Sequence, residues 1–271
     1  MEQTVLGNIK SQPEVLPQVF ANRDVFVEPF RREVDEQGIR KIIFFGSGTS
    51  YNVSQIAAFY MKQLAGIAAE AQYPTVFKNY ERADWTGSVA PENTLFVGIS
   101  QSGTSVSTCE VMEYGQKVGC RTLVITGDLE SRITQFANVT THLLVGPELT
   151  PPETKGYTVS VLSVYLWALA VAYDRGKLST EGYQAALDEI EEFVGDFQSV
   201  IDEGEAWYDR NKGSILQSDR LFILGYGVDY GSMLEAMLKV GEMLRIPTIG
   251  YELEEFSHGP TMGFVPTRRF S

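Results

Sequence analysis

Short apolar runs that stop abruptly at glycine and small hydroxyl residues recur along the chain. "KIIFFGSGTSY" (41–51) passes into "VSQIAAFYMKQLAG", whose apolar positions return with helical spacing. The pattern repeats in "TLFVGISQSGTSVSTCEVMEYGQKVG" (94–119) and again in "CRTLVITGDLESRITQFA" (120–137). Apolar runs that do not alternate with polar residues fit strands covered on both faces, as in a parallel sheet. "VTTHLLVGPE" (139–148) adds a further strand-like run carrying His142, and the uncharged stretch 156–173 reads as a buried core helix. The expected architecture is therefore α/β, with a doubly wound parallel sheet over about residues 40–175.

The first strand and turn occur twice. "RKIIFFGSGTSY" (40–51) lies over "DRLFILGYGVDY" (219–230) at a constant offset of 179 with no gap. An internal duplication predicts a second unit of the same kind. The expected division is a helical lead-in at 1–36, a first unit at 37–178, a helical connection at 179–218 and the start of a second unit at 219–271. On that spacing the counterpart of "GISQSG" falls beyond Ser271, so the second unit is expected to be truncated.

Composition narrows the partners. The 271 residues carry a net charge of -13 without a cluster of Lys or Arg, which argues against a phosphate-backbone partner and hence against nucleic acid. Two cysteines, Cys109 and Cys120, do not make a disulfide framework. The N-terminus is neither basic nor apolar enough for a signal peptide, so a cytoplasmic protein without a membrane partner is expected. No metal cluster is evident, and no cofactor or metal is expected. A dinucleotide reading of the Gly-x-Gly turns is weak: "GSGTSY" lacks the third glycine, Gly231 follows Gly225 and Gly227 one residue late, and Glu70 is the sole candidate for a ribose-binding acid.

The loop after the second quoted strand carries the densest chemistry. A helix following a parallel strand presents unpaired N–H groups and a partial positive charge. Gly103 lets the loop curl, while Ser100, Ser102, Thr104 and Ser105 add neutral donors and Gln101 can reach a hydroxyl or carbonyl. Helix capping alone needs one such residue, so the cluster predicts a cradle for a phosphate monoester, joined by Thr49 and Ser50 from the first turn. Farther on, Glu235, Lys239 and Glu242 follow at i, i+4 and i+7 and share one helix face. That is either a surface ion-pair ladder or an active-site wall. Met233, Leu234, Met237, Leu238, Met243 and Leu244 predict that this helix is mostly buried.

Five segments in register, "GSGTSYN", "ISQSGTS", "VGPELTPPETKGYT", "LEAMLKVGE" and "EEFSHGP", resemble the sugar isomerase (SIS) family, and in particular the isomerase half of glucosamine-6-phosphate synthase. The resemblance implies flavodoxin-like units, the second incomplete here, and sugar-phosphate contacts at Ser50, Ser100, Gln101, Ser102 and Ser105. It also implies a catalytic base at Glu242, a ring-opening histidine at His258, an active-site lysine at Lys239 and a further carboxylate at Glu235. A homodimer with each site near the subunit boundary is implied as well. The departures are Ser47 for a common cysteine, Thr104 for glutamate, Gly241 for lysine, and Glu153 where a small residue is usual. The expected function is aldose–ketose chemistry with amine transfer or release on an (amino)sugar 6-phosphate, or deglycation of an Amadori-type sugar phosphate. No glutaminase segment precedes residue 1, so glutamine is not the expected amine source. A non-catalytic phosphosugar sensor is the alternative.

Overall fold

A computed structural model of the chain describes residues 4–264. Three helices, α1 (Val5–Lys10), α2 (Gln12–Ala21) and α3 (Asp24–Glu36), form the lead-in. The first unit then alternates strand and helix through β1 (Lys41–Phe45), α4 (Thr49–Gln63), β2 (Ala68–Gln72), α5 (Pro74–Tyr80), β3 (Thr94–Ile99), α6 (Val106–Lys117), β4 (Arg121–Thr126) and β5 (Val139–His142). The strands lie parallel in the order β2-β1-β3-β4-β5.

Both faces of the sheet are dry, which is why its strands read as continuous apolar runs. Ile42, Phe44, Leu95, Val97, Ile99, Leu123 and Ile125 point into one core, with α3, α4 and α7 (Lys155–Asp174). Ile43, Phe45, Phe96 and Val124 point into the other, with Phe77 and the α6 residues Cys109, Val111 and Met112. α7 is long and apolar enough to cross a membrane, but it has the burial of a core helix. Trp167 is fully enclosed, stacks on Phe30 at 4.3 Å and donates its indole N–H to the Phe26 carbonyl at 2.8 Å. α8 (Thr180–Gly195) and α9 (Phe197–Gln217) resolve the acidic stretch after 179 into two helices that bury only a narrow stripe each.

β2 is an element the pattern does not disclose. "AAEAQ" has no β-branched residue, and it holds its place as an edge strand through backbone pairing to β1. Glu70 within it pairs with Lys41 at 2.7 Å across the two strands, which removes it as a free ribose-binding acid.

The second unit repeats the opening of the first: β6 (Leu221–Gly225), α10 (Asp229–Met243) and β7 (Thr248–Glu252), with β6 and β7 parallel in a separate two-stranded sheet. The duplication extends to backbone detail. Gly48 and Gly227 both adopt the left-handed conformation, at φ 57° and 59°. A Cβ on Gly46 would lie 2.5 Å from the Ser50 carbonyl oxygen, and one on Gly225 would lie 2.6 Å from that of Asp229. The same strand-to-helix turn is thus built twice.

α10 crosses α4 closely. Gly231 allows this, because a Cβ there would come within 2.5 Å of Ile56 Cγ1 and 2.9 Å of the Asn52 carbonyl oxygen. Only the first half of α10 is buried, at Gly231, Met233 and Glu235. The expectation of a mostly buried helix is corrected at its C-terminal end, where Met243 and Leu244 are each 44% exposed because no layer among the described residues covers them.

Candidate active site

The strand order places a topological switch point between β1 and β3, where the chain leaves the carboxyl ends of neighbouring strands in opposite directions. A cavity of about 460 Å³ opens there. One wall is formed by Ser47 and Ser50 from the first turn together with Ser100, Gln101, Ser102 and Ser105 from the loop before α6. Ser105 precedes the first turn of α6, and its hydroxyl lies 3.5 Å from that of Ser47, so the two loops meet.

The curl of the loop depends on Gly103. Its φ is +64°, and a Cβ there would overlap the Ser131 side chain and lie 2.9 Å from Thr126 Oγ1. Its N–H turns inward to the Ser100 carbonyl at 3.2 Å and the Ser100 hydroxyl at 3.1 Å. This N–H therefore shapes the loop and does not face an anion. The Ser100 hydroxyl, accepting from Gly103, keeps its own proton for a ligand. Ser102 pairs with Thr104 at 2.9 Å on the exposed shoulder of the loop.

The rest of the lining is acidic, with Asp128, Glu148 and Glu153, and it adjoins the loop at Gln101. Glu148 caps α7: it accepts from the backbone N–H groups of Thr154 (2.9 Å), Lys155 (3.0 Å) and Gly156 (2.8 Å), from the Thr154 hydroxyl (2.9 Å) and from Gln101 Nε2 (3.3 Å). Burial pushes its pKa up, yet these donors together outweigh it and hold the carboxyl below its ordinary range. Glu153 behaves oppositely. Burial first, then the charges of Glu148, Glu235 and Glu242, raise it to about 8 against the opposing pull of Lys239.

α10 lies outside the lining but close enough for its charges to act on Glu153. Glu235 is buried and accepts from Thr49 Oγ1 at 3.0 Å and Asn52 Nδ2 at 2.7 Å. Lys239 bridges it at 3.3 Å to Glu242 at 2.8 Å, so the three charges do share one face. The Glu242 side chain remains 37% exposed beside the much more enclosed Lys239.

The structure thus collects Ser50, Ser100, Gln101, Ser102 and Ser105 around one cavity, with Lys239 and Glu242 near enough to its acidic wall to influence Glu153 electrostatically. Two residues expected among the ligand contacts sit elsewhere. Thr49 is buried and directs its proton to Glu235, and Thr104 faces outward beside Ser102. His258 ends a short 3₁₀ turn, Glu255–His258, and is exposed outside the cavity lining. Sequence reasoning missed the role of Glu148. The signal was a glutamate a few residues before a long helix, where a carboxylate can gather N–H groups.

Comparison with known proteins agrees with this geometry. Residues 37–171 match the SIS domain family. The glutamine–fructose-6-phosphate aminotransferase (isomerizing) of Clostridium tetani is 25% identical over 262 residues, covering 94% of this chain and 42% of that protein. The chain thus spans less than half the length of the curated relatives it matches. A Clostridium difficile structure provisionally named a phosphosugar isomerase superposes with a TM-score of 0.85 at 30% identity, covering 96% of this chain and 72% of that one. The Thermotoga maritima glucosamine-6-phosphate deaminase shares the fold, with a TM-score of 0.75 at 23% identity over 95% of this chain and 72% of that one. With its duplicated strand-turn-helix units and its hydroxyl-lined switch-point cavity, this chain belongs to the SIS domain family of phosphosugar isomerase-like proteins.

Proposed function

We propose that the chain is a sugar-phosphate enzyme that moves a proton between adjacent carbons of an opened phosphosugar. The observation that carries this reading is one cavity with two chemically distinct ends. Hydroxyl donors and the N-terminus of α6 stand at one end, and a carboxylate–lysine–carboxylate face of α10 stands beside the other. The neutral donors suit a phosphate dianion in a chain of net charge -13, where a dense lysine site is absent.

In the proposed mechanism the Glu242 carboxylate takes the proton from the carbon next to the carbonyl. The electron pair moves onto the carbonyl oxygen, giving an enediolate-like intermediate, and the same carboxyl returns the proton to the neighbouring carbon. Lys239, held between Glu235 and Glu242, offsets the negative charge that develops. His258 would protonate the ring oxygen during opening. It lies outside the cavity of its own chain, so this role calls for a second copy of the chain to present it. Isomerisation, amine release from an amino-sugar phosphate and deglycation of an Amadori-type compound share these proton steps. They differ in the group on the adjacent carbon.

Turnover of phosphorylated ketoses, amino sugars and Amadori compounds by wild type and Glu242→Gln tests the reading. Loss of the base should lower kcat by about 10²- to 10⁴-fold while leaving ligand Kd nearly unchanged. Comparable turnover in the variant would remove Glu242 from its role. Tight binding by wild type with no turnover of any compound would favour a phosphosugar sensor.

A further inference from the structure

Two oxygen acceptors in the cavity lack a donor among the described residues. Gln101 Oε1 is sealed from solvent and has no hydrogen-bond partner, while its amide nitrogen is held by Glu148. The Glu153 carboxylate makes neither hydrogen bond nor ion pair among the described residues, although it lines the same cavity. The two converge. A methyl group built on Gly156, in the first turn of α7, would overlap both Gln101 Oε1 and Glu153 Oε1. Converging acceptors repel unless a donor lies between them. Glu148 cannot act as that donor, since its oxygens already accept from three backbone N–H groups, a hydroxyl and Gln101.

We propose that Glu153 and the Gln101 amide oxygen form an acceptor pair for a positively charged nitrogen on the substrate, so that the site selects sugar phosphates bearing a basic amine over plain sugar phosphates. This rests on the sugar-phosphate reading above and specifies its substrate class. The phosphate end occupies the hydroxyl loop and the nitrogen end meets the acidic wall, matching a ligand with opposite charges to a cavity with opposite linings. The charged groups that face Glu153 are Glu148 from the loop before α7 and Glu235, Lys239 and Glu242 from α10. Burial first, then three carboxylates against one lysine, raise the Glu153 pKa to about 8, so the protonated carboxyl can donate to Gln101 when no ligand is bound. When an ammonium group arrives, Glu153 gives up that proton to solvent. When a neutral amine arrives, the proton passes to the nitrogen. Both routes end with carboxylate and ammonium in contact.

Isothermal titration of wild type and Glu153→Gln with glucosamine 6-phosphate, fructose 6-phosphate and ammonium chloride tests the assignment, with thermal melts as a folding check. Wild type should prefer the amino sugar by about 10- to 100-fold near pH 8, the range for a charge-assisted hydrogen bond to a desolvated group. The variant should lose that preference while its Kd for fructose 6-phosphate stays within about twofold. Amino-sugar affinity should rise with pH toward about 8 in wild type more steeply than in the variant, because binding favours ionised Glu153. Titration of wild type alone in buffers of different ionisation enthalpy should show proton release near pH 7, a readout that does not depend on the variant folding. Equal weakening of both sugars in Glu153→Gln, or a preserved preference, would overturn the Glu153 assignment alone. Competition by ammonium chloride at similar affinity would make the occupant a free cation and overturn the substrate assignment. No binding of either sugar by wild type would overturn the sugar-phosphate reading and this inference with it.

Discussion

Replacing Gly103 by alanine should be among the most damaging single-methyl changes in the first unit. Two separate costs follow from the structure. The residue sits at φ +64°, where a Cβ costs about 1–2 kcal/mol. The added methyl also falls on the Ser131 side chain. Ser131 cannot swing away freely, since its hydroxyl donates to the Asp128 carbonyl at 2.5 Å and its N–H to the same oxygen at 3.1 Å. Overpacking of this kind costs a further ~1–3 kcal/mol. The total, about 2–5 kcal/mol, should lower Tm by roughly 5–15 °C in a chain of this size. Gly103→Asn separates the terms, because asparagine tolerates positive φ but brings the same Cβ. It should remain destabilised by most of the packing cost. Ser131→Gly in the Gly103→Ala background should recover the packing cost and leave the φ cost, giving a favourable coupling of about 1–3 kcal/mol in a double-mutant cycle. Urea titration of the four chains measures this directly. A Gly103→Ala chain within about 0.5 kcal/mol of wild type, or a cycle without coupling, would refute the packing account.

Other consequences can be checked independently. Because the Glu153 pKa is raised in the fold, the native chain binds more protons there than the unfolded chain. Wild-type stability relative to Glu153→Gln should therefore fall as pH rises from about 5 to about 8, by up to about 1.4 kcal/mol per unit, and level off above that; thermal melts across this range would show a flat difference if Glu153 titrates normally. Glu235→Ala leaves Thr49 and Asn52 without their buried acceptor and should cost about 2–4 kcal/mol, with faster hydrogen exchange across 229–243; unchanged protection of α10 would show that its docking does not depend on this carboxylate.

Much of the first unit is written in its apolar runs. Each of β1, β3 and β4 is buried on both faces, so each stands out as a continuous apolar segment. β2 is not legible, because an alanine-rich edge strand gains its place from pairing with β1 and carries little side-chain signal of its own. The hydroxyl loop was legible because five polar side chains at a strand end exceed what one helix cap requires. The inward turn of the Gly103 N–H was not, since density of donors says nothing about which way each one points. Thr49 shows the same limit. Its position in the motif suggests a ligand contact, but a carboxylate 186 residues later takes its proton. Spacing did place Glu235, Lys239 and Glu242 on one helical face, because the helical repeat fixes that relation before any packing occurs.

The junction between α10 and α4 also sets an order of events during synthesis. The curl of the hydroxyl loop, its seat on Ser131 and its link to Glu148 are all made by residues between 100 and 156. α10 joins this region through Glu235, which accepts from Thr49 and Asn52 across 186 and 183 positions, and through Ser232, which accepts from the Tyr157 hydroxyl. Chains emerge from the ribosome N-terminus first, and local units fold as they appear. The hydroxyl-lined end of the cavity is therefore specified before the α10 carboxylates have been translated. On the proposed function, a nascent chain completes its phosphate loop first and gains its proton-transfer face last, when Gly231 seats against Ile56.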